Sequence, residues 1–357
     1  MRLILSVLFC LICFNISGQR KELVYFDASQ LTIIGKPLPT SKPFTRLDTT
    51  ICRFEDKEVI KFAEYSTGLA VVFRTDSRNI GAKWMTSGSN AGANMTAIAQ
   101  KGLDLYIRIG GEWIFAGVGM PSMHKAPYEN HDRMIVENMI CGEKECLLYL
   151  PLFDRVDKLE IGIDDGAYIR PMANPFKHKV VFKGSSITHG ASASRPGMTF
   201  PALWGRENGI EVCNMGFSGK SKLQKEYAYV LAATKADAFV FDAFSNPSAQ
   251  EIYENFDAFV EIIRASHPET PLVFLQTERR ETRNFNCRIE ETEAAKQYAA
   301  EEVVHRHMKK DKNIYFVDSS GFLGNDHIGT VDGTHPNDIG FLRMLKCISK
   351  KILRIVK

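Results

Sequence analysis

The sequence has almost no excess charge of either sign. Across 357 residues, 45 Lys and Arg stand against 42 Asp and Glu, a formal net charge of +3. No run of basic residues occurs, so we expect neither nucleic acid nor an anionic membrane as a partner. The one long apolar run, residues 3–14, is shorter than the roughly 20 residues that a membrane-spanning helix needs. We therefore expect no stable membrane insertion.

Metal-binding cysteine patterns are also missing. No C-x-x-C pair occurs and the histidines are scattered, which argues against a structural zinc site. Six cysteines follow the first apolar run, and an even number in an exported protein is compatible with disulfides. Cys141 and Cys146 bracket a predicted hairpin tip and are the pair that we would test. Cys213 and Cys347 lie in apolar stretches and are expected to be buried thiols.

The first 18 residues have the composition of a secretory signal. Arg2 precedes the apolar run, and Ser17 and Gly18 are small residues at its end. Large residues precede Cys10 and Cys13, which argues against a lipoprotein signal. We predict a cleaved signal peptide over residues 1–18 and an exported protein, periplasmic or extracellular.

Residues 19–175 are typical of an antiparallel β-sandwich. Short apolar or alternating runs are separated by Gly, Asn, Asp and Pro, which is the pattern of strands and turns. The predicted strands cover residues 69–75, 103–109, 112–118, 146–152 and 158–163. No segment here has a convincing helical pattern. The sequence therefore predicts an accessory β domain over residues 19–175.

Residues 176–357 alternate between apolar strands and longer amphipathic segments. The predicted strands are 179–184, 211–216, 237–244, 271–277 and 313–319, and the predicted helices are 199–208, 222–234, 249–266, 289–309 and 336–352. Such alternation indicates a parallel sheet covered on both faces. In these folds chemistry gathers at the carboxyl ends of the strands.

A serine follows the first of these strands. The strand ends in Gly184, and Ser185 and Ser186 form the turn into the next segment. A hydroxyl at a strand-to-helix turn can be presented to a substrate with backbone N–H groups around it. Because serine and glycine are also ordinary turn residues, this feature alone is weak. His189 lies close by, and either a pocket-lining or a structural role is open to it.

The second feature lies just before the last predicted helix. Asp332 and His335 are three residues apart, and Pro336 suits a first helical turn, which would place His335 at the helix entrance. The carboxylate can accept a hydrogen bond from one imidazole nitrogen, which leaves the other nitrogen free to take a proton from a serine. Alone, this pattern favours a helix cap with an exposed histidine over a catalytic pair.

Two more loops reach the same edge of the predicted sheet. Gly219 follows the second strand and Asn246 follows the third. A glycine lets backbone approach a ligand closely, and an asparagine amide can donate to a developing oxyanion. Together with Ser186, Asp332 and His335, these residues match the parts of a serine hydrolase. The loops 195–197 and 278–286 are expected to border this site.

These four blocks resemble the SGNH/GDSL hydrolase superfamily, which is named for Ser, Gly, Asn and His. GSSIT resembles the GDSIT block with Ser186 as nucleophile, and DGTHPN matches the block that carries Asp332 and His335. NMGFSG and DAFSNP supply Gly219 and Asn246. Two departures occur: Ser185 replaces the usual Asp, and FSNP replaces GxND. The LDLY segment, residues 103–106, resembles the β-rich domain that precedes the hydrolase in one subgroup.

The resemblance implies a flavodoxin-like three-layer α/β/α hydrolase domain with a parallel sheet, preceded by a β-sandwich. It also implies an acyl-enzyme mechanism without a cofactor or metal, and an oxyanion hole formed by the N–H groups of Ser186 and Gly219 and by the Asn246 side chain. The expected substrate is an O-acyl ester on carbohydrate, foremost O-acetyl. Two alternatives are open: an esterase or thioesterase on lipid or small-molecule esters, and a non-catalytic glycan-binding protein.

Overall fold

The computed structural model describes residues 22–90, 92–123 and 129–356. The predicted signal peptide lies outside these residues. Among the helices described, none is both long and apolar enough to cross a membrane.

The N-terminal half is built mainly from ten strands. They are β1 (Leu23–Asp27), β2 (Thr32–Ile34), β3 (Ala70–Thr75), β4 (Ile80–Thr86), β5 (Leu103–Ile109), β6 (Glu112–Gly119), β7 (Asn130–Val136), β8 (Lys144–Tyr149), β9 (Val156–Asp164) and β10 (Ile169–Pro171). One antiparallel sheet has the order β1-β9-β4-β7, and the other has the order β10-β3-β8-β5-β6 with β2 beside β3. Alternate residues of the two sheets, such as Trp84 and Leu148, share one buried core. The predicted β-sandwich is confirmed.

The expectation that this half lacks helices is wrong. It contains α1 (Lys57–Glu64) and α2 (Ala97–Lys101). Side chains cap both: Asp56 accepts from two N–H groups of α1, and Thr96 accepts from Ala99 N–H. Both helices are short, so their apolar periodicity covers too few residues to be distinguished from strand alternation.

The C-terminal half has one five-stranded parallel sheet. Its strands are β11 (Lys179–Gly184), β12 (Glu211–Gly216), β13 (Ala238–Asp242), β14 (Leu272–Leu275) and β15 (Ile314–Val317), in the order β12-β11-β13-β14-β15. Its helices are α3 (Ser186–His189), α4 (Phe200–Asn208), α5 (Lys225–Ala233), α6 (Ala249–Ser266), α7 (Cys287–Met308) and α8 (Asp338–Val356). The order changes direction between β11 and β13, which is the position where open α/β sheets bind ligands.

Helices cover both faces of this sheet. Side chains of α5, α6 and α7 share one buried cluster with Phe241 and Phe274 of the sheet. Side chains of α4 and α8 share the opposite cluster with Phe182 and Val240. The three-layer α/β/α arrangement predicted from the sequence is therefore confirmed.

The disulfide between Cys141 and Cys146 is not formed, and all six cysteines among the described residues are free thiols. Cys146 lies on β8 inside the sandwich core, whereas Cys141 is exposed in the preceding turn. The two side chains thus belong to different environments. Cys213 is buried as expected, but Cys347 is only partly buried.

The LDLY segment docks the sandwich against the C-terminal half. Asp104 is fully buried, and its carboxylate accepts from Gly197 N–H at 2.8 Å and pairs with Arg195 at 3.2 Å. Arg206 of α4 lies over the Tyr106 ring at 4.0 Å. Burial raises the pKa of Asp104 to about 6, although Arg195 and Gly197 favour the charged form. This motif therefore joins the two halves through a charge held out of water.

We predict that Asp104→Asn changes how stability depends on pH. The folded-state pKa lies above the unfolded value of about 3.9, so the stabilisation is complete below pH ~4 and is lost as pH rises through 6. The neutral amide has no such dependence. Between pH 4.5 and 7.5, the free energy of unfolding of the wild type in urea should fall by about 2 kcal/mol relative to that of the variant. A difference between the two proteins that does not change with pH would contradict this assignment.

Candidate active site

The turn after β11 carries Ser186 as the first residue of α3, with 8% of the residue exposed. The Ser185 hydroxyl accepts from Ile187 N–H at 3.1 Å and so caps α3. A Cβ on Gly184 would lie 2.1 Å from the Thr188 hydroxyl and 2.8 Å from Asp242, so only glycine fits this close approach. The Ser186 turn is thus packed tightly against the end of β13.

Asp242 fastens this turn to the sheet. One carboxylate oxygen accepts from the Ser185 hydroxyl at 2.7 Å, from Ser185 N–H at 3.1 Å and from the Thr188 hydroxyl at 2.9 Å. Sequence reasoning missed Asp242, although an acid that ends a buried strand at the ligand-binding edge is a usable signal. Ser185, which replaces the Asp of the family block, therefore donates hydrogen bonds to a neighbouring carboxylate.

The structure brings Ser186, His335 and Asp332 into one hydrogen-bonded chain. Ser186 Oγ lies 2.9 Å from His335 Nε2, and His335 Nδ1 lies 2.8 Å from Asp332 Oδ2. An ionised carboxylate only accepts, so the Nδ1 proton is donated to Asp332 and Nε2 keeps a free lone pair towards the serine. This is the tautomer that a general base for Ser186 requires.

The turn that carries Asp332 and His335 is held by its own backbone. Asp332 Oδ1 accepts from Thr334 N–H at 3.0 Å and from His335 N–H at 2.8 Å, and Val331 N–H donates to His335 O at 2.9 Å. Partial burial works against the charged carboxylate, but the hydrogen bonds from His335 and Thr334 outweigh it and hold the pKa of Asp332 at about 2. Asp332 is therefore ionised throughout the neutral range.

The helix after this turn starts later than predicted. Asn337 Oδ1 accepts from the N–H groups of Ile339 and Gly340, and α8 begins at Asp338. Pro336 instead forms a bridge with Thr330 before the helix. The expectation that Pro336 occupies the first helical turn is wrong because Asn337 is the better cap.

Gly219 and Asn246 lie in the loops after β12 and β13, at the same edge as Ser186. Gly219 is exposed with φ +70°, and no atom lies within 4 Å of a Cβ built on it. Asn246 Oδ1 accepts from Ser221 N–H at 3.2 Å, which joins the two loops and leaves the amide N–H₂ as a donor. No hydrogen bond links either residue to Ser186 within the described part of the chain. Their oxyanion role stays a prediction.

His189 is a structural residue. It is fully buried and stacks on Phe153 at 3.8 Å between ring centroids. Nε2 lies 2.8 Å from Leu152 O, and Nδ1 accepts from Ser218 N–H at 3.3 Å. Burial keeps the pKa of His189 well below its usual value, so the ring is neutral. Of the two roles open to it from the sequence, the structure supports the one inside the fold.

The two loops expected to border the site differ in position. Thr282, in the loop after β14, donates its N–H to Gly333 O at 3.1 Å and so packs directly on the Asp332 turn. Arg195 in the other loop is paired with Asp104 of the sandwich. The loop after β14 borders the site as predicted, whereas the loop that contains Arg195 joins the two halves.

One residue of the N-terminal half contacts Asp332 and His335, and sequence reasoning did not find it. Asn94 Nδ2 lies 3.0 Å from Asp332 Oδ2 and 3.2 Å from His335 Nδ1. It stands 238 positions before Asp332 in a loop of small and polar residues, so no local pattern in the sequence could reveal it. Among the described residues, no group of three or more His, Cys, Asp or Glu is arranged to hold a metal ion.

Comparison with known proteins finds family matches for both halves of the chain. Residues 177–353 match the GDSL-like lipase/acylhydrolase family, and residues 23–169 match the N-terminal region of SGNH-hydrolase-type esterases. A crystal structure from Bacteroides ovatus ATCC 8483, described as that of a GDSL-like lipase, is 46% identical with a TM-score of 0.90, covering 94% of this chain and 98% of its own. Among curated proteins, none matches in sequence.

Two more distant structures share the fold. A salicylyl-acyltransferase of a tetracycline biosynthetic pathway has 19% identity and a TM-score of 0.73, with coverage of 93% of this chain and 97% of its own. A family two carbohydrate esterase from Cellvibrio japonicus has 10% identity and a TM-score of 0.60, with coverage of 94% and 98%. The fold, the two matching segments and the Bacteroides relative together show that this chain belongs to the GDSL-like lipase/acylhydrolase family of SGNH esterases.

Proposed function

We propose that this protein hydrolyses O-acyl esters, foremost O-acetyl esters, on carbohydrate, with Ser186 as the nucleophile. The observation that carries the proposal is the hydrogen-bonded chain from Ser186 through His335 to Asp332. It stands at the carboxyl edge of the parallel sheet, at the change of strand order. A non-catalytic glycan-binding protein would have no need of this complete arrangement.

In the proposed reaction, Ser186 Oγ attacks the ester carbonyl while His335 Nε2 takes the hydroxyl proton. Asp332 stabilises the imidazolium that forms. The N–H groups of Ser186 and Gly219 and the Asn246 amide would hold the tetrahedral oxyanion. Collapse breaks the ester bond, and His335 gives its proton to the leaving sugar hydroxyl. Water, deprotonated by His335, then attacks the acyl-enzyme and releases the carboxylic acid and free Ser186.

A polar groove lined partly by the loop that packs on the Asp332 turn supports a hydroxyl-rich substrate. A groove of about 810 Å³ opens at the ends of β14 and β15, with a lining that includes Gln276, Arg279, Glu281, Tyr298, Asp318 and His327. Glu281 accepts from Thr330 at 3.0 Å, and Thr330 accepts from Gly333 N–H at 3.2 Å, so the groove wall supports the Asp332 turn. A long acyl chain would gain little hydrophobic free energy against this lining. Carbohydrate esterases also share the fold.

We expect the wild type to release acetate from an acetylated polysaccharide and Ser186→Ala to release none above background. The alanine variant removes the attacking oxygen and leaves the fold intact, because the Ser186 backbone supplies the N1 position of α3. The measurement is enzymatic acetate detection over a panel of acetylated glycans and of esters with acyl chains of increasing length. A fluorophosphonate probe that labels the wild type but not the variant identifies the nucleophile.

Preference for longer acyl esters would move the substrate to lipids and leave the triad in place. Equal acetate release by the two proteins would remove Ser186 from the mechanism. If the wild type also fails to react with the fluorophosphonate, the catalytic proposal falls and glycan binding becomes the function to test.

We predict that Asn246→Ala lowers kcat about 100-fold with little change in KM, because an oxyanion donor acts mainly in the transition state. Asn246→Asp is the matched variant: it keeps the acceptor for Ser221 N–H but replaces the N–H₂ donor with negative charge. Its kcat should fall at least as far. Steady-state kinetics on a soluble acetyl ester, with thermal unfolding as a check on folding, measures both effects. Wild-type kcat in Asn246→Ala would contradict the assigned role.

A further inference from the structure

The carboxylate of the proposed triad has a hydrogen-bond partner from the other half of the molecule. His335 Nδ1 carries a proton, which it donates to Asp332 in a hydrogen bond, so it cannot accept a hydrogen bond from the nearby Asn94 N–H₂. The Asn94 amide therefore donates to Asp332 Oδ2, at 3.0 Å. Oδ1 accepts from the backbone N–H groups of Thr334 and His335. Among the described residues, each carboxylate oxygen thus receives two hydrogen bonds, and only the one from Asn94 comes from outside the turn.

The segment that carries Asn94 is fastened to the C-terminal half on both sides of its side chain. The Ser192 hydroxyl donates to Asn94 O at 3.0 Å, and the Thr96 hydroxyl donates to Ser194 O at 2.7 Å. Ser194 N–H in turn donates to Asp338, the first residue of α8, at 2.9 Å. These contacts set the position of the amide relative to the turn that precedes α8.

Orientation matters here because the carboxylate is not enclosed. The Asp332 side chain is 37% exposed and the His335 side chain is 22% exposed, so water competes for Oδ2. A mobile water would let the carboxylate rotate and the imidazole follow it. The Asn94 amide belongs to a segment that is anchored by the Ser192 hydroxyl at Asn94 O and by the Ser194 carbonyl at the Thr96 hydroxyl, and this anchoring removes that freedom.

We propose that Asn94 is a positioning residue that fixes the Asp332 carboxylate and through it the His335 ring. The active site is then complete only when the sandwich is docked. This inference rests on the proposed function, in which His335 is the base for Ser186. In this positioning role Asn94 contacts neither Ser186 nor the substrate. Its effect on the reaction therefore passes through Asp332.

The test compares Asn94→Ala, Asn94→Asp and the matched control Asn90→Ala, an exposed asparagine of the same loop. Asn94→Ala should lower kcat on a soluble acetyl ester by about 10- to 100-fold with KM unchanged. Asn94→Asp places a second negative charge beside the ring, which then holds its proton more tightly. The acidic limb of its kcat/KM profile should shift to higher pH by about one unit. Asn90→Ala should behave as the wild type.

A readout independent of turnover separates this inference from the proposed function. In protein with ¹⁵N-labelled histidine, the downfield N–H resonance of His335 should be sharp in the wild type and in Asn90→Ala, and should move or broaden in Asn94→Ala. If the wild type is inert but this pattern holds, the positioning role stands and the esterase proposal falls. Asn94→Ala with wild-type resonance, kcat and pH profile would overturn the positioning role. Equal losses in Asn94→Ala and Asn90→Ala, with equally lowered unfolding temperatures, would also overturn it.

Discussion

A charged or polar side chain that is buried away from water must have a hydrogen-bond or ionic partner. Buried side chains of this kind join the β-sandwich to the half that contains the parallel sheet. Arg46 is fully buried, donates to Asn214 O at 2.9 Å and lies over the Phe217 ring at 4.3 Å. Burial lowers the pKa of Arg46 to about 9. Asp104 and His189 likewise have partners across the same contact: Asp104 accepts from Gly197 N–H and pairs with Arg195, and His189 lies against Leu152 O. A displaced contact would leave each of these groups unpaired at a cost of about 1–3 kcal/mol, so the contact specifies one arrangement of the two halves.

The proposed catalytic geometry depends on that single arrangement. The short helix that starts with Ser186 is held from the sheet by Asp242 and from the sandwich through His189 and Leu152 O. The carboxylate of Asp332 receives hydrogen bonds from its own turn and from the sandwich. Both ends of the hydrogen-bonded chain therefore depend on the docked interface, which is a form of preorganisation that does not require a rigid loop.

Periodicity predicted the C-terminal half well and the interface poorly. The strand Lys179–Gly184 and the helix Ala249–Ser266 have the bounds expected from the sequence, because each buries a continuous or regularly spaced apolar surface. The serine and the Asp–His pair could be found because family blocks are local in sequence. Helix α1 was not predicted because eight residues are too few to show a helical periodicity of apolar residues, although its Val59 packs in the same core as Phe217. Asn94 was not predicted because its role depends on a contact with Asp332, which lies 238 positions later in the sequence.

The shared fold does not decide the chemistry. A salicylyl-acyltransferase and a family two carbohydrate esterase have similar architecture at 19% and 10% identity. A nucleophilic serine forms the same kind of acyl-enzyme in hydrolysis and in acyl transfer, and the two differ in whether water or another acceptor reaches it. Access is set by the loops at the edge of the sheet rather than by the layers beneath. In this protein the loop after β14 packs on the Asp332 turn and also lines the polar groove. Under the proposed function, the same loop would therefore support the Asp332 carboxylate and supply polar side chains to the surface beside it.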